Sequence, residues 1–317
     1  MNPRKAALAL ALCLPAVVTP AAAPRFATRR ILRLATHTVE TVPLEDYVAA
    51  VIPAEIGNAP LAALEAQAIA ARSFALARWA RHEDEDADLC DGTHCQVFRG
   101  LDAATPASRR AAEATRGLVL MQNGRIIGAP FHASCGGHTA RPTDVWDDEE
   151  MPDLVPVADD ACLSGPGASW TWEMPRADVA RLGRAFGLPQ ARFLEVYGRN
   201  ADGRVSTVRL AAPGGRSLSI RGFDFRRVAT RLFGVRTVRS TAFTVHETKS
   251  EYVLTGQGSG HGAGLCQVGA IARARRGETW QRILAVYYQG ARVGTLEALA
   301  ARARASGTGV RAARAAR

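Results

Sequence analysis

Two runs of apolar residues at helical spacing lie near the start of the chain and predict two consecutive helices. The first run covers residues 44–51, and Pro53 is expected to end that helix. The second run covers roughly residues 60–81, where small and apolar side chains form one narrow stripe. Residues 53–60 then form a short connection. We therefore expect Glu55 in a loop held by a helix on each side, which would fix its side chain rigidly.

Alternating apolar positions predict strands along much of the remaining chain. One entering strand is expected within residues 25–42, and a hairpin within 115–134, where Asn123-Gly124 is a turn signal. Shorter strands are predicted around residues 192–197, 205–210, 217–220, 242–247 and 252–255. Two further helices are predicted near residues 176–187 and 280–288. The pattern favours an α+β fold, and residues 160–248, which carry no candidate chemistry, are interpreted as an inserted β-rich subdomain.

The first 23 residues have the pattern of a signal peptide. Arg4 and Lys5 precede a short apolar run over residues 6–18, and three alanines at 21–23 offer a cleavage site. A membrane-spanning helix needs about 20 apolar residues, so the run is too short to be one. Cys13 is interpreted as part of this run. The mature chain is therefore expected to be exported and to contain no membrane span.

The charge balance narrows the class of partner. The 317 residues carry a formal charge of +10, which becomes +8 when the positive Arg4 and Lys5 are removed with the signal. A basic protein can bind nucleic acid, anionic lipid or an acidic wall polymer, and export disfavours nucleic acid. Residues 301–317 contain several arginines and no acidic residue, so they are predicted to be a disordered basic tail.

Five cysteines remain after Cys13, and an odd number means that at least one is not paired within the chain. Cys90 and Cys95 flank Gly92, which allows the tight turn that a disulfide between them needs. The alternative is a zinc knuckle that recruits residues from 132–138, where two histidines and a cysteine lie close together. The disulfide is the preferred interpretation.

Two other motifs offer polar side chains. Residues 131–146 contain His132, Cys135 and His138, a spacing that suits either a Zn²⁺ site or a ligand-binding loop around two glycines. Residues 256–270 contain a glycine-rich loop that lacks the Lys-Ser/Thr of a nucleotide-binding loop. This second motif is better explained as backbone lining a cleft, with His261 and Gln267 presented to a polar ligand.

Four segments, in this order, resemble the stage II sporulation protein D/amidase enhancer (SpoIID/LytB) family. They are LEDYVAAVIPAEIGNAPLAALEAQAIAARSFALA (44–77), CDGTHCQVFRG (90–100), EATRGLVLMQNGRIIGAPFHASCGGHT (113–139) and GQGSGHGAGLCQVGAIARARRGETWQRILAVYYQGA (256–291). The resemblance implies one SpoIID-like domain over residues 24–300. It also implies a helical catalytic lobe, a mixed β portion and a central cleft between them.

The resemblance further implies an activity. Active family members are lytic transglycosylases that cut the MurNAc–GlcNAc strand of peptidoglycan and leave 1,6-anhydro ends, and the family's essential glutamate maps to Glu55. Groove-lining residues that would bind the sugar are expected at Arg72, Gln96, Ser134, His261 and Gln267. No cofactor is required for this chemistry, although some members carry a zinc ion near the segment matching His132 and His138. Other members are amidase enhancers, so an N-acetylmuramoyl-L-alanine amidase is an expected partner.

The chain departs from the family pattern at two positions. Cys135 and Cys266 stand where sporulation members have serine, so a disulfide between them could join two cleft loops and would compete with zinc at Cys135. Two alternatives to the transglycosylase stay open from the sequence. One is a wall-binding amidase enhancer without catalytic activity, and the other is a Zn²⁺-dependent hydrolase built on His132 and His138.

Overall fold

The computed structural model describes residues 26–78, 81–146, 154–163, 165 and 169–305. The segment predicted as a signal peptide lies outside the described residues, as does the basic tail beyond residue 305. Within the described residues, every helix is too short or too polar to cross a bilayer.

The described residues form nine α-helices and fourteen short strands. The helices are α1 (Leu44–Glu55), α2 (Leu61–Ala77), α3 (Pro106–Ala114), α4 (Asp160–Leu163), α5 (Asp178–Ala185), α6 (Gly222–Phe233), α7 (Gln267–Arg275), α8 (Trp280–Tyr287) and α9 (Leu296–Ala305). The strands are β1 (Thr28–Arg33), β2 (Thr38–Pro43), β3 (Leu89–Cys90), β4 (Leu118–Gln122), β5 (Arg125–Ile126), β6 (Phe131–His132), β7 (Ser169–Pro175), β8 (Phe193–Arg199), β9 (Val205–Ala211), β10 (Ser217–Arg221), β11 (Phe243–Glu247), β12 (Glu251–Gln257), β13 (Leu265–Cys266) and β14 (Arg292–Thr295). This mixture confirms an α+β fold.

The strands form five small sheets rather than one large sheet. Their orders are β2-β1-β3, β14-β4-β5, β13-β6, β11-β12-β7 and β10-β9-β8. Most neighbouring strands are antiparallel, whereas β13 runs parallel to β6 and β3 runs parallel to β1. The β13-β6 pair places the glycine-rich loop of residues 256–264 beside the loop that begins at residue 133.

Two hydrophobic cores lie under these elements. The larger is built around α1 and α2, whose buried side chains pack with residues of α3, α7 and α8. The second takes its side chains from β7 through β12 and from α5 and α6, and it spans residues 170–254. The residues between the third and the fourth family-like segments therefore contain a hydrophobic core of their own.

Pro53 lies inside α1 and does not end it, so the prediction for this helix was wrong. The helix continues to Glu55, and the backbone N–H of Ile56 still donates to the Ile52 carbonyl at 3.0 Å. Ile52 is fully buried and Ile56 nearly so. Apolar burial on both sides of the proline thus outweighs the loss of one backbone hydrogen bond near the helix end. Glu55 is consequently the last residue of a helix and not part of a loop.

The entering strand is two strands joined by a turn at His37, and the two form an antiparallel pair from Thr28 to Pro43. His37 has a φ of 53°, in the left-handed region that a tight turn requires. The hairpin at Asn123-Gly124 is confirmed, with φ angles of 51° and 76° at the two turn residues. In addition, α9 covers residues 296–305, so the segment predicted as a disordered tail begins within a helix.

Gly136 and Gly258 bring two loops into backbone contact. A Cβ atom on Gly136 would lie 2.8 Å from the backbone carbon of Gln257, and one on Gly258 would lie 2.6 Å from the Ser134 carbonyl oxygen. Both glycines also have positive φ angles, of 72° and 76°. The loops that follow β6 and β12 can approach this closely only because neither glycine has a side chain.

Candidate functional site

The carboxylate of Glu55 meets two amide donors. The backbone N–H of Val97 donates to Oε1 at 2.6 Å, and the side-chain amide of Gln267 also hydrogen-bonds the carboxylate. Burial raises the pKa of Glu55 above its ordinary value, while these two hydrogen bonds oppose the rise. The group is therefore fixed in position and holds its proton more tightly than an exposed glutamate does. Among the described residues, no ion pair includes Glu55.

Gln96 holds the segment that contains Val97 against the first two helices. Its side chain is 1% exposed, accepts a hydrogen bond from the Tyr47 hydroxyl at 3.0 Å and donates to the Ala71 carbonyl at 3.2 Å. These contacts tie Gln96 to α1 and α2, and Val97 is the next residue. The prediction that Gln96 binds a sugar directly does not fit its burial, because both ends of its amide are already used inside the protein.

Gln267 is the predicted groove residue whose side chain reaches Glu55. It lies at the start of α7, and its Nε2 atom donates to Oε1 of Gln67 at 3.4 Å. Gln67 is fully buried on α2, and its own Nε2 has no hydrogen-bond partner. Gln67 was not predicted as a site residue, although a glutamine among the small and apolar residues of α2 is a signal that could have found it.

Arg72 does not line a groove, so that prediction was wrong. The side chain is fully buried and is held by Glu45, to which Nε donates at 3.0 Å and Nη2 at 2.5 Å. The guanidinium also donates to the carbonyls of Leu118 and Ala112, both at 3.1 Å. A buried cation needs such partners, and here they connect α1, α2, α3 and β4. Arg72 is a structural residue of the larger core.

His261 lies in an aromatic group with His132 and Trp146. Its ring centroid is 5.4 Å from that of His132 and 4.7 Å from that of Trp146, and its Nδ1 accepts from the Ala263 backbone N–H at 3.1 Å. Burial lowers the pKa of His261 well below its usual value and that of His132 to about 3. Both rings are therefore neutral at physiological pH and can offer hydrogen bonds but no positive charge.

Ser134 belongs to the contact between the two glycine-containing loops. Its backbone N–H donates to the Ser259 carbonyl at 3.0 Å, and its carbonyl accepts from the Ser259 N–H at 2.8 Å. The hydroxyl lies 3.1 Å from the Cys162 sulfur in a buried position. These contacts do not present Ser134 to a substrate, so its predicted sugar-binding role does not fit.

The two histidines predicted to bind zinc do not converge on a common point. His132 directs Nδ1 to the Ala263 carbonyl at 3.1 Å, and His138 directs Nδ1 to the Thr139 carbonyl at 2.9 Å. Side chains able to bind a metal do gather elsewhere among the described residues, but neither gathering includes His132 or His138. The structure therefore gives no support to a hydrolase built on this pair.

One such gathering consists of His82, Cys90, His94 and Cys95, which we call the Cys/His cluster. Its four ligand atoms all lie within 4.8 Å of one another. Both cysteines are free, so the disulfide predicted between them is not formed in the structure. A hydrogen bond from Cys95 lowers the pKa of the Cys90 thiol, which favours the thiolate form.

The donor set of the Cys/His cluster fits zinc. Two sulfur and two imidazole ligands are a common structural zinc set. The Nδ1 atom of His82 lies 3.6 Å from a Glu85 carboxylate oxygen, which leaves Nε2 directed at His94, with the two ring nitrogens 3.1 Å apart. A carboxylate behind a histidine is typical of metal ligands. Neither histidine was predicted as a ligand. His94 lies within the Cys90–Cys95 segment itself, whereas His82 comes close to Cys90 only through the turn made by the acidic loop.

The comparisons with known proteins agree with this picture at the level of the family. A model described as SpoIID, stage II sporulation protein, matches residues 33–122, the region that holds α1, α2, the Cys/His cluster and Glu55. An uncharacterized protein of Brachyspira hyodysenteriae is 28% identical over 258 residues, which cover 80% of this chain and 67% of that protein.

Two relatives from Bacillus subtilis carry functional names. The stage II sporulation protein D is 26% identical over 290 residues, which cover 84% of this chain and 79% of that protein. The amidase enhancer is 27% identical over 286 residues, which cover 76% of this chain but only 39% of the enhancer. The similar region is thus most of the sporulation protein but less than half of the amidase enhancer.

Proposed function

The chain belongs to the SpoIID/LytB family, and on that premise we propose that it is an exported peptidoglycan lytic transglycosylase in which Glu55 is both general acid and general base. The observation that carries this proposal is the setting of Glu55. Its carboxyl group is partly buried, has a raised pKa and is oriented by the Val97 amide and Gln267. A general acid needs these properties, because it must hold a proton until the leaving group takes it.

One carboxyl group is enough for this reaction. Protonated Glu55 gives its proton to the glycosidic oxygen as the bond from the muramic C1 atom breaks. The 6-hydroxyl of the same muramic residue then attacks C1 and returns its proton to the carboxylate. No water is consumed, so the second carboxyl group that hydrolytic glycosidases use is not needed. The product is a 1,6-anhydro-muramic end and a free GlcNAc hydroxyl, and Glu55 is restored.

Digestion of purified sacculi tests the proposal. We would treat sacculi, with and without amidase pretreatment, with the wild-type protein, Glu55→Gln and Glu65→Gln, and count anhydro-muramic ends by mass spectrometry. Glu65 is a suitable control because it is a partly buried helix glutamate whose pKa is also raised by burial. We expect anhydro ends from the wild type and Glu65→Gln only. Equal product from Glu55→Gln would remove Glu55 from the mechanism.

The second candidate function is enhancement of an amidase without catalysis, which the name of one Bacillus subtilis relative favours. The same digestion separates the two. If the wild type binds sacculi in a sedimentation assay, releases no anhydro ends and accelerates peptide release by an added amidase, the transglycosylase proposal fails and the enhancer function replaces it.

We also propose that the Cys/His cluster holds a structural zinc ion next to the segment that contacts Glu55. Gln96 and Val97 directly follow Cys95, so an ion bound there would fix the start of the segment that supports Glu55. We expect Cys95→Ser to lower the zinc content by one ion per chain and to lower the melting temperature. A wild-type mass two hydrogens lighter than the sequence predicts, with the missing hydrogens mapped to Cys90 and Cys95, would mean a disulfide instead.

A further inference from the structure

A second gathering of metal-capable side chains lies apart from the Cys/His cluster. Cys135, Asp159, Cys162 and Cys266 are all buried, and their ligand atoms lie within 4.8 Å of one another. The three cysteines are free in the structure. We propose that these four residues bind one tetrahedral divalent ion of the zinc class, as a second metal site that ties together the loops around the glycine contact.

The dimensions suit one ion rather than a cluster of ions. A zinc–sulfur bond is about 2.3 Å long, so the ligand atoms of a tetrahedral site lie about 3.8 Å apart. The Cys135 sulfur is 3.5 Å from Oδ2 of Asp159, and each of the three sulfurs also interacts with the other two. Binding would displace the three thiol protons to solvent and leave three thiolates and one carboxylate around the ion.

Hydrogen-bond donors already point at two of the sulfurs. The backbone N–H groups of Cys135 and Gly269 lie 3.3 Å and 3.4 Å from the Cys266 sulfur, which caps the N-terminus of α7. Cys162 has the Ser134 hydroxyl at 3.1 Å and a hydrogen bond from the Gly136 backbone. Donors of this kind and a helix N-terminus stabilise thiolates, the form in which cysteine binds a metal.

Two side chains that are not proposed ligands hold the Asp159 carboxylate in position. Asp159 accepts from the Tyr287 hydroxyl at 2.7 Å through Oδ2, and Arg273 donates to Oδ1 at 3.1 Å. A second cation, Arg204, donates to the Cys135 carbonyl at 2.6 Å and interacts electrostatically with all three thiols. Two cations beside the group reduce the cost of assembling several negative ligands in a buried space.

A disulfide explains the cluster less completely. A bond between Cys135 and Cys266 would use two sulfurs and leave Cys162 as a buried thiol in contact with both, a position from which thiolates attack disulfides. A metal ion engages all four groups at once.

The test of the site is to measure how many metal ions each chain binds, using the protein purified after its natural processing. Native mass spectrometry of the wild type, the double variant C90S/C95S and the single variant Cys162→Ser would give the number of zinc ions per chain. We expect the double variant to retain one ion, because it leaves the proposed site intact, and Cys162→Ser to hold one ion fewer than the wild type. Cobalt substitution of the double variant should give an intense sulfur-to-cobalt charge-transfer band.

Two results would overturn the inference. One is a double variant that folds, by circular dichroism, but holds no ion. The other is a wild-type chain in which alkylation before reduction shows Cys135 joined to Cys266. If either variant fails to fold, the wild type still decides between the two states. Two zinc ions per chain support the site, whereas one ion or none together with that disulfide contradicts it.

Discussion

The backbone N–H of Val97 lies 2.6 Å from Oε1 of Glu55, a residue 42 positions earlier in the chain. This contact makes the position of the candidate acid depend on the segment after Cys95. Gln96, through Tyr47 and the Ala71 carbonyl, holds that segment against the first two helices. The carboxylate and its main orienting donor are thus fixed to the same helical core.

Replacing Gln96 should weaken both stability and turnover. In Gln96→Ala the Tyr47 hydroxyl and the Ala71 carbonyl lose their partners, so we expect the free energy of unfolding to fall by about 1–3 kcal/mol. Anhydro-product formation should slow through kcat, with KM little changed, because Gln96 does not contact solvent. The control is Arg99→Ala, at an exposed position that follows Val97 and Phe98. Full turnover in Gln96→Ala would show that Val97 does not depend on it.

The pH profile should report the raised pKa of Glu55. The reaction begins with the protonated acid, so the rate should fall as pH rises through that pKa. Hydrogen bonding from Gln267 lowers the pKa, and Gln267→Ala should therefore shift the falling limb to higher pH while reducing kcat. Tyr47, the titratable neighbour of Glu55, has a pKa raised by burial and stays neutral throughout this range. An unchanged limb in Gln267→Ala would contradict the role of that amide.

Glu55→Gln should stabilise the fold at neutral pH. A carboxyl group whose folded-state pKa is raised favours folding below its unfolded pKa, and that contribution is lost as pH rises through the folded pKa. Above this window the buried charge opposes folding, by about 1.4 kcal/mol for each unit of elevation. Urea unfolding of wild type and Glu55→Gln should therefore give similar values near pH 4 and favour the variant near pH 7. A variant that is less stable than the wild type at both pH values would argue against burial as the main influence on the pKa of Glu55.

Replacing Arg72 should lower the stability of the fold strongly and leave sacculus binding unchanged. Arg72→Met leaves Glu45 without its cation in a largely buried place, and breaking such a pair typically costs 3–5 kcal/mol. Arg109→Met removes an exposed partner of Asp46 and is the surface control, with an expected change below about 1 kcal/mol. The double variant R72M/E45M should recover part of the loss. Weakened sacculus binding by folded Arg72→Met would restore the groove assignment.

Gly136→Ala should destabilise the chain more than Gly124→Ala. Both glycines have φ angles above 70°, so both substitutions carry a backbone strain of about 1–2 kcal/mol. Only at Gly136 would the new Cβ also meet backbone atoms, within 2.9 Å, whereas the space around Gly124 is open. The difference between the two melting temperatures therefore measures the clash alone. Equal losses would mean that the two loops can separate at little cost.

The local elements were predictable from sequence where one local signal decides them. The turn at Asn123-Gly124 follows from two residues that accept positive φ, and α2 follows from its apolar spacing. The course of α1 past Pro53 was not predictable, because it depends on the burial of Ile52 and Ile56 in a core made by distant segments. Propensity describes a residue alone, whereas the core acts on the whole helix.

The roles of the site side chains were likewise predictable from sequence only in part. Glu55 and Gln267 were both assigned to the site from the family motifs, but their contact was not predicted. The structural roles of Arg72 and Gln96 were not predictable either, since a polar residue in a motif has the same letter whether it binds a ligand or supports the core. His82 lies close to His94 and the two cysteines only because of the way the acidic loop folds, which the sequence does not reveal. Asp159 and Cys162 lie outside every motif, and only the tertiary structure brings them to Cys135 and Cys266.

The contact between Gly136 and Gly258 has an architectural consequence. The 121 residues between the two glycines, which include the whole second core, begin and end at nearly the same point in space. A segment with its ends pinned together can change length at a small entropic cost, roughly 0.6 kcal/mol for each doubling. Within that span, the residues of the second core behave like an exchangeable module, whose size and surface can be altered while Asp159, Cys162 and the carboxylate that depends on α1 and α7 stay in place.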